Sequence, residues 1–390
     1  MEVGGNSGYW DGLSELVVTN GKILSVGTET DSITFRGADT SSYDSWGGLY
    51  FNSNTSDTSA FRFSKISNAR IGLYTNNDHN NNGQFDTGVD STHFVSIANS
   101  NVMKNVVGIY FQHAGSILPI IDNIVGDCHI GLSFGVGQNS ALVKRNTFQG
   151  TYQFANWDIE YGYMPFGSTS DALMISATAA QIDSNTFINC NQESIANWGS
   201  NTITHNTFIN SGQVYLEGWQ ESVVKYNNFS DSQGSLLTLG FSGNLTLDAS
   251  ENYWGSYTTV NEMNTLGHPK DISAINDNYP DYPQANYIPW LDAPWPNGNI
   301  TYPYTGPKWY VDASTDTSYQ IGSQALPFAT IQQGINASTD GDTVSVATGT
   351  YVENINFSGK NIAVIGENRE TTIIDGNQDT SVVIFSSGEN

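Results

Sequence analysis

Positive charge is what this 390-residue sequence has least of: 13 Lys and Arg, only five of them Arg, stand against 38 Asp and Glu, for a net charge of −25. A field of that sign repels phosphate backbones and anionic lipid surfaces, which argues against nucleic-acid and membrane-surface partners. Long apolar runs are also missing; no stretch of 18 residues is apolar enough to read as a membrane span. Cysteine is nearly absent, and Cys128 and Cys190 alone make no disulfide framework. No basic, apolar leader opens the chain, because Met1-Glu2-Val3 runs straight into loop-like sequence. The far end stops just after a strand-like Ser381-Val382-Val383-Ile384-Phe385. Both ends therefore read as cut from a longer precursor. The expected setting is secreted or cell-surface, with signal and anchor elsewhere, as a monomer within a longer chain. Helix formers such as Ala, Leu, Lys and Glu are scarce, whereas Gly, Asn, Ser and Thr are plentiful, which favours strands and turns.

What is present is a repeat. Leu142-Val143-Lys144-Arg145-Asn146-Thr147-Phe148 returns as Gln181-Ile182-Asp183-Ser184-Asn185-Thr186-Phe187, as Thr202-Ile203-Thr204-His205-Asn206-Thr207-Phe208 and as Val223-Val224-Lys225-Tyr226-Asn227-Asn228-Phe229. Looser versions place asparagines at 68, 101, 123 and 252 as well, so that most gaps are 21 to 25 residues. The two wider gaps, 33 and 39, hold inserted loops. A unit this short, with β-branched runs, cannot bury its apolar face alone and must stack on copies of itself. Stacked in register, the residues three before and two after each Asn form interior columns. The asparagines then share one turn, each amide bonding to the coils above and below.

The Asn-x-Phe rungs resemble the right-handed parallel β-helix of the pectin-lyase-like superfamily, whose asparagine ladder they match. Gly21-Lys22-Ile23-Leu24-Ser25-Val26-Gly27, Ile33-Thr34-Phe35 and Trp46-Gly47-Gly48-Leu49-Tyr50-Phe51 look like entry coils of bacterial secreted members. Asn252-Tyr253-Trp254-Gly255 and Asn286-Tyr287-Ile288-Pro289-Trp290-Leu291 are similar to their closing segment. The resemblance implies an all-β solenoid. It does not imply one activity, because the scaffold carries lyases, hydrolases, adhesins and coat proteins.

Three segments are expected. Residues 1–255 form a parallel β-helix with insertions at about 75–93 and 151–180. Residues 256–307, broken by eight prolines, form a cap and linker. Residues 308–390 begin a second β-helix, opened by a capping helix at about 327–337 with Pro327 at its first position. Such a helix would cover an otherwise exposed sheet edge.

Several places carry candidate chemistry. Asp78-His79-Asn80-Asn81-Asn82-Gly83-Gln84-Phe85-Asp86 fits the start of an EF-hand-type calcium loop, with Asp78, Asn80, Asn82 and Asp86 as oxygen ligands. Position twelve is Val89 rather than Glu, so a plain solvated turn fits too. The second insertion is rich in aromatics: Trp157, Tyr161 and Tyr163 lie beside Asp158 and Glu160 and could stack on sugar faces and bond their hydroxyls. Its aromatics could equally pack against the coil wall. The two positions before each ladder Asn form stripes: Lys144, Asp183, Thr204 and Lys225, then Arg145, Ser184, His205 and Tyr226. A polyuronide lyase would need a base and a cation there, for which Lys225, His205 or Arg145 could serve, with Asp183 and Asp158 as further catalytic candidates. A solvated mixed-charge face is the plainer alternative. The paired aspartates of related polygalacturonases and the arginine motifs of pectate lyases are not found. The expectation is thus a module that is glycan-binding or structural and adhesive, with calcium as the only cofactor. The alternative is a polysaccharide lyase or glycosidase working in a groove beside 151–180.

Overall fold

In a computed structural model, residues 13–18, 21–51, 58–75, 94–111, 119–134, 141–151, 170–176, 179–217, 222–230, 236–240, 246–255, 284–302, 304–315, 320–377 and 381–385 are described. The chain divides into two compact units, residues 1–248 with 272–285, and residues 249–271 with 286–390.

The first unit is a parallel β-helix. Three long sheets form its walls: sheet one has nine strands from Glu15–Val18 to Leu237–Leu239, sheet two has ten beginning at Leu24–Val26, and sheet three has eight between Ile33–Arg36 and Asn228–Ser230. In each, successive coils pair strand to strand in parallel, from the first coil to Val223–Lys225 and Thr246–Asp248 on sheet two. Side chains alternate in and out of a strand, so register turns the repeat into continuous interior columns. On sheet two the column runs Phe61, Ile97, Ile120, Val143, Ile182, Ile203 and Val224. On sheet three it ends in Phe148, Phe187, Phe208 and Phe229, whose rings stack at 4.9, 4.9 and 4.7 Å within 10° of parallel. These distances match the strand spacing of about 4.8 Å, so each ring meets its neighbour without leaving its own coil.

Two corners per coil follow one rule. A residue in the left-handed region turns the chain, and the next residue points a small side chain, most often a polar one, inward. Between sheets two and three the turning residues are Phe63, Asn99, Asp122, Arg145, Ser184, His205 and Tyr226, with φ from +49° to +60°. The inward residues after them are Ser64, Ser100, Asn123, Asn146, Asn185, Asn206 and Asn227. Each Asn Oδ1 from Asn146 to Asn227 accepts both the backbone N–H and the side-chain Nδ2 of the asparagine one coil earlier, at 2.9 to 3.1 Å. The Nδ2 atoms of Asn123, Asn146, Asn185, Asn206 and Asn227 also donate to carbonyls of the preceding coil. A buried amide is costly unless its donors and acceptors are used, and here they are.

Two of the expected rungs lie elsewhere. Asn101 pairs in register with Lys65 and Ile124 and faces outward. Its supposed place is taken by Ser100, whose Oγ accepts from the Ser64 N–H. The inward Val102 decides this, because the ladder residue sits two before the inward apolar side chain. Asn68 belongs to the other corner, between sheets three and one, where it donates to the Thr40 and Ser42 carbonyls. At that corner Asn68, Lys104, Asp127, Asn189 and Asn210 adopt positive φ and are followed by Ala69, Asn105, Cys128, Cys190 and Ser211.

In the second unit, Trp254, Tyr287 and Trp290 are buried. Strands Lys308–Val311, Thr343–Val346 and Ala363–Gly366 pair in parallel, as do Gly349–Val352 with Thr372–Asp375 and Ile355–Asn356 with Val383–Ile384. The arrangement repeats the coil plan of the first unit around Trp309, Phe328, Val344 and Tyr351. The helix spans Ile331–Ala337, shorter than the expected 327–337. Thr330 is its N-cap in a capping box with Gln333, and Phe328 is tied in a bridge to Val311. Pro327 therefore precedes the helix instead of opening it. Glu353 accepts from the Ile331 and Gln332 N–H groups, and Lys360 donates to the Ile335 and Asn336 carbonyls, so both helix ends are satisfied.

Candidate functional site

The stripe before the ladder is built, and its charges are engaged. Lys144, Asp183, Thr204 and Lys225 occupy one register on sheet two. Asp183 lies 2.6 Å from the Lys144 Nζ and 2.8 Å from the His205 Nδ1, and accepts from the Thr204 hydroxyl at 3.2 Å. Burial pushes the Asp183 carboxyl up, but the Lys144 and His205 contacts outweigh it and hold the group below the usual carboxylate range. Lys225 pairs with Asp248 at 2.8 Å, and Arg145 clamps Asp122 through two 2.8 Å bonds. The His205 ring stacks on Tyr226 at 5.4 Å. Asp183 and His205 are thus brought together, while Lys225 is held with a different partner. An aspartate held ionised by an ammonium at 2.6 Å is a poor proton acceptor near neutral pH. This wall is an ion-pair ladder.

The remaining candidates, Asp78, Asn80, Asn82 and Asp86 of the calcium-type loop, and Trp157, Asp158, Glu160, Tyr161 and Tyr163 of the second insertion, lie outside the described residues. Among the described residues no group of three His, Cys, Asp or Glu side chains could hold a metal ion.

A patch not anticipated from the sequence lies on the outer face of sheet one. In the early coils this face is apolar and buried: Tyr50, Tyr74 and Tyr110 stack at 4.9 and 5.3 Å and pack with Ile71, Val107, Ile130 and Met174. Further along, the same register positions turn polar. Ile71, Val107 and Ile130 are succeeded by Asp171, Glu193 and Gln213. Tyr215 continues the outer tyrosine register, and Trp198 lies opposite Glu217. Glu217 Oε2 accepts from the Trp198 Nε1 at 3.1 Å and from the Tyr215 hydroxyl at 3.0 Å, which fixes both rings. The Trp198 indole is nevertheless 37% exposed. A second chain of bonds runs from the Thr238 hydroxyl to the Gln213 side-chain Oε1 at 2.6 Å, and from the Gln213 Nε2 to Glu193 at 3.4 Å. Burial raises the Glu193 carboxyl above its ordinary value, opposed in part by Gln213. Burial, then the Glu217 carboxylate, pushes the Tyr215 hydroxyl up to about 12. The patch therefore offers an exposed indole pinned by its edge, a neutral phenol and two carboxylates flanking them.

The two cysteines are free, buried and two coils apart in register with Thr151 between them, and burial pushes both thiols up to about 12. They are packing residues, not nucleophiles or ligands. No family model matches this chain, and neither the curated proteins nor the solved structures contain a match to it.

Proposed function

We propose that this β-helix, which resembles the pectin-lyase-like superfamily, is a secreted or cell-surface glycan-binding module. Its binding wall is the sheet-one patch around Trp198. The observation that carries this reading is an exposed indole whose Nε1 is tied to Glu217, leaving the ring face as a rigid platform beside carboxylates. Rigid aromatic faces take the apolar face of a sugar at low entropic cost, and fixed acceptors choose its hydroxyls. The −25 charge disfavours polyuronides and directs the choice toward neutral or amino-sugar polymers. Calcium held by Asp78, Asn80, Asn82 and Asp86 would stiffen the first insertion, and aromatics of the second, such as Trp157, would offer further faces for sugar stacking.

One observation supports hydrolysis as a second reading. Glu193, whose carboxyl burial raises, and Glu217 flank Tyr215, and a raised carboxyl beside a second acid is an arrangement that acid–base pairs use. A single panel separates the two: retention and product release on pectin, alginate, xylan and chitosan, with calcium and with chelator. Retention on neutral or amino-sugar polymers without products, weakened at least tenfold by Trp198→Ala, supports a binding module. Products that vanish with Glu193→Gln would make the protein a glycosidase. No retention on any polymer would overturn both.

A further inference from the structure

A cleft of about 520 Å³ lies at the corner between sheets two and three in the early coils, on a different wall from Trp198. The turning residues Phe63, Asn99 and Asp122 form one side. The outward residues Lys65, Asn101 and Ile124, which share one register on sheet three, form the other. Glu29, within the Thr28–Asp31 turn, also lines it.

What distinguishes this cleft is the state of its polar groups. Further along the same corner, charged side chains are spent on each other, as in Arg145 with Asp122 and Lys144 with Asp183. In the cleft, the side chains of Glu29, Lys65, Asn99 and Asn101 make no hydrogen bond or ion pair among the described residues. The local charge also balances: Lys65 offsets Glu29, and Arg145 offsets Asp122, within a chain of net −25. Two asparagine amides, each able to donate and accept at once, match adjacent hydroxyls. The half-buried Phe63 ring and the exposed Ile124 supply an apolar floor. Phe63 does so from φ +49°, a backbone region that bulky residues rarely adopt. The volume falls in the range of small-molecule sites and suits one or two sugar rings.

We propose that this corner is a second saccharide site, taking a neutral, hydroxyl-rich pyranose unit through Asn99, Asn101, Lys65 and the Phe63 face. It stands on its own residues and would make the module bivalent for one chain or two. The test is calorimetric titration of the intact protein with cellohexaose, mannohexaose and a hexaglucuronate. The variants are the Asn99→Gly/Asn101→Ala double variant, Phe63→Gly and Trp198→Ala, each checked for an unchanged unfolding midpoint. Asn101 is outward-facing, and glycine at 99 keeps the left-handed turn that Asn99 makes at φ +50°, so the double variant should fold as the parent does. We expect a neutral hexasaccharide to bind the parent and Trp198→Ala at one common site, and the double variant to lose that site by at least tenfold. Hexaglucuronate should not compete. Binding that survives the double variant unchanged would overturn the proposal, as would binding abolished by Trp198→Ala alone. The latter result would leave the Trp198 wall standing as the single site. Absence of binding by both neutral hexasaccharides would overturn the cleft as a neutral-sugar site.

Discussion

Replacing Asn185 by alanine removes the middle of the asparagine ladder. Asn185 is buried, and its Oδ1 accepts from the Asn146 N–H at 2.9 Å and from the Asn146 Nδ2 at 3.1 Å. Its own Nδ2 donates to the Val143 carbonyl at 2.9 Å and to the Asn206 Oδ1 at 3.0 Å. Truncation leaves the Asn146 backbone donor with no acceptor, at about 1–3 kcal/mol, and removes further bonds worth about 1 kcal/mol each. The expected loss is about 4–6 kcal/mol. Asn101→Ala is the matched control, since Asn101 belongs to the same sequence series but faces outward; it should cost less than about 0.5 kcal/mol. Urea unfolding followed by far-ultraviolet circular dichroism measures both. Because stacked repeats need not unfold in one step, the comparison uses the shift between the two variants instead of one extrapolated stability. Equal effects at 101 and 185, or a loss below 1 kcal/mol at 185, would refute the register and the ladder that depends on it.

Phe208→Ala opens the ring column between Phe187 and Phe229 and should cost about 3–5 kcal/mol, read as a lowered unfolding midpoint. Cys128 and Cys190 should resist a thiol reagent at pH 8 in the native protein and react fully in denaturant; fast labelling of the folded form would contradict their buried positions. Asp183 has a folded-state pKa below its unfolded value, so its pairing stabilises above the ordinary carboxylate range and is lost as pH falls through the lowered pKa. Asp183→Asn should therefore narrow the stability difference between pH 6 and pH 3, which parallel melts at both pH values would show. Thr330→Ala removes the helix cap and should cost about 1 kcal/mol, visible in the melting of the second unit.

The ladder was legible because Asn, the Phe two residues later and the apolar residue three before recur together, and stacking leaves such a pattern only one register. Asn101 misled because it lies near the expected interval, while the decisive signal was the inward Val102 two residues after Ser100. The second corner could have been found: Asn68, Asp127, Asn189 and Asn210 are residue types that tolerate left-handed backbone, and each precedes an inward residue. The Trp198 patch left no comparable mark. Glu193, Trp198, Tyr215 and Glu217 share no motif, and the register shift between Glu193 and Ile195 breaks the regular offset that would align them. The ionic stripe was visible as composition, but its pairing into Asp183 with Lys144 and Lys225 with Asp248 depends on side-chain reach across coils. Spacing alone does not report that.

A crystal structure of the protein with the neutral or amino-sugar oligosaccharide it retains best tests the central claim most directly. An ordered sugar ring is expected on the Trp198 indole face, with a hydroxyl or amine bonded to Glu217 or Glu193 and the glycosidic bonds intact. A sugar ordered elsewhere while the Trp198 face stays bare, or one cleaved between Glu193 and Glu217, would contradict it.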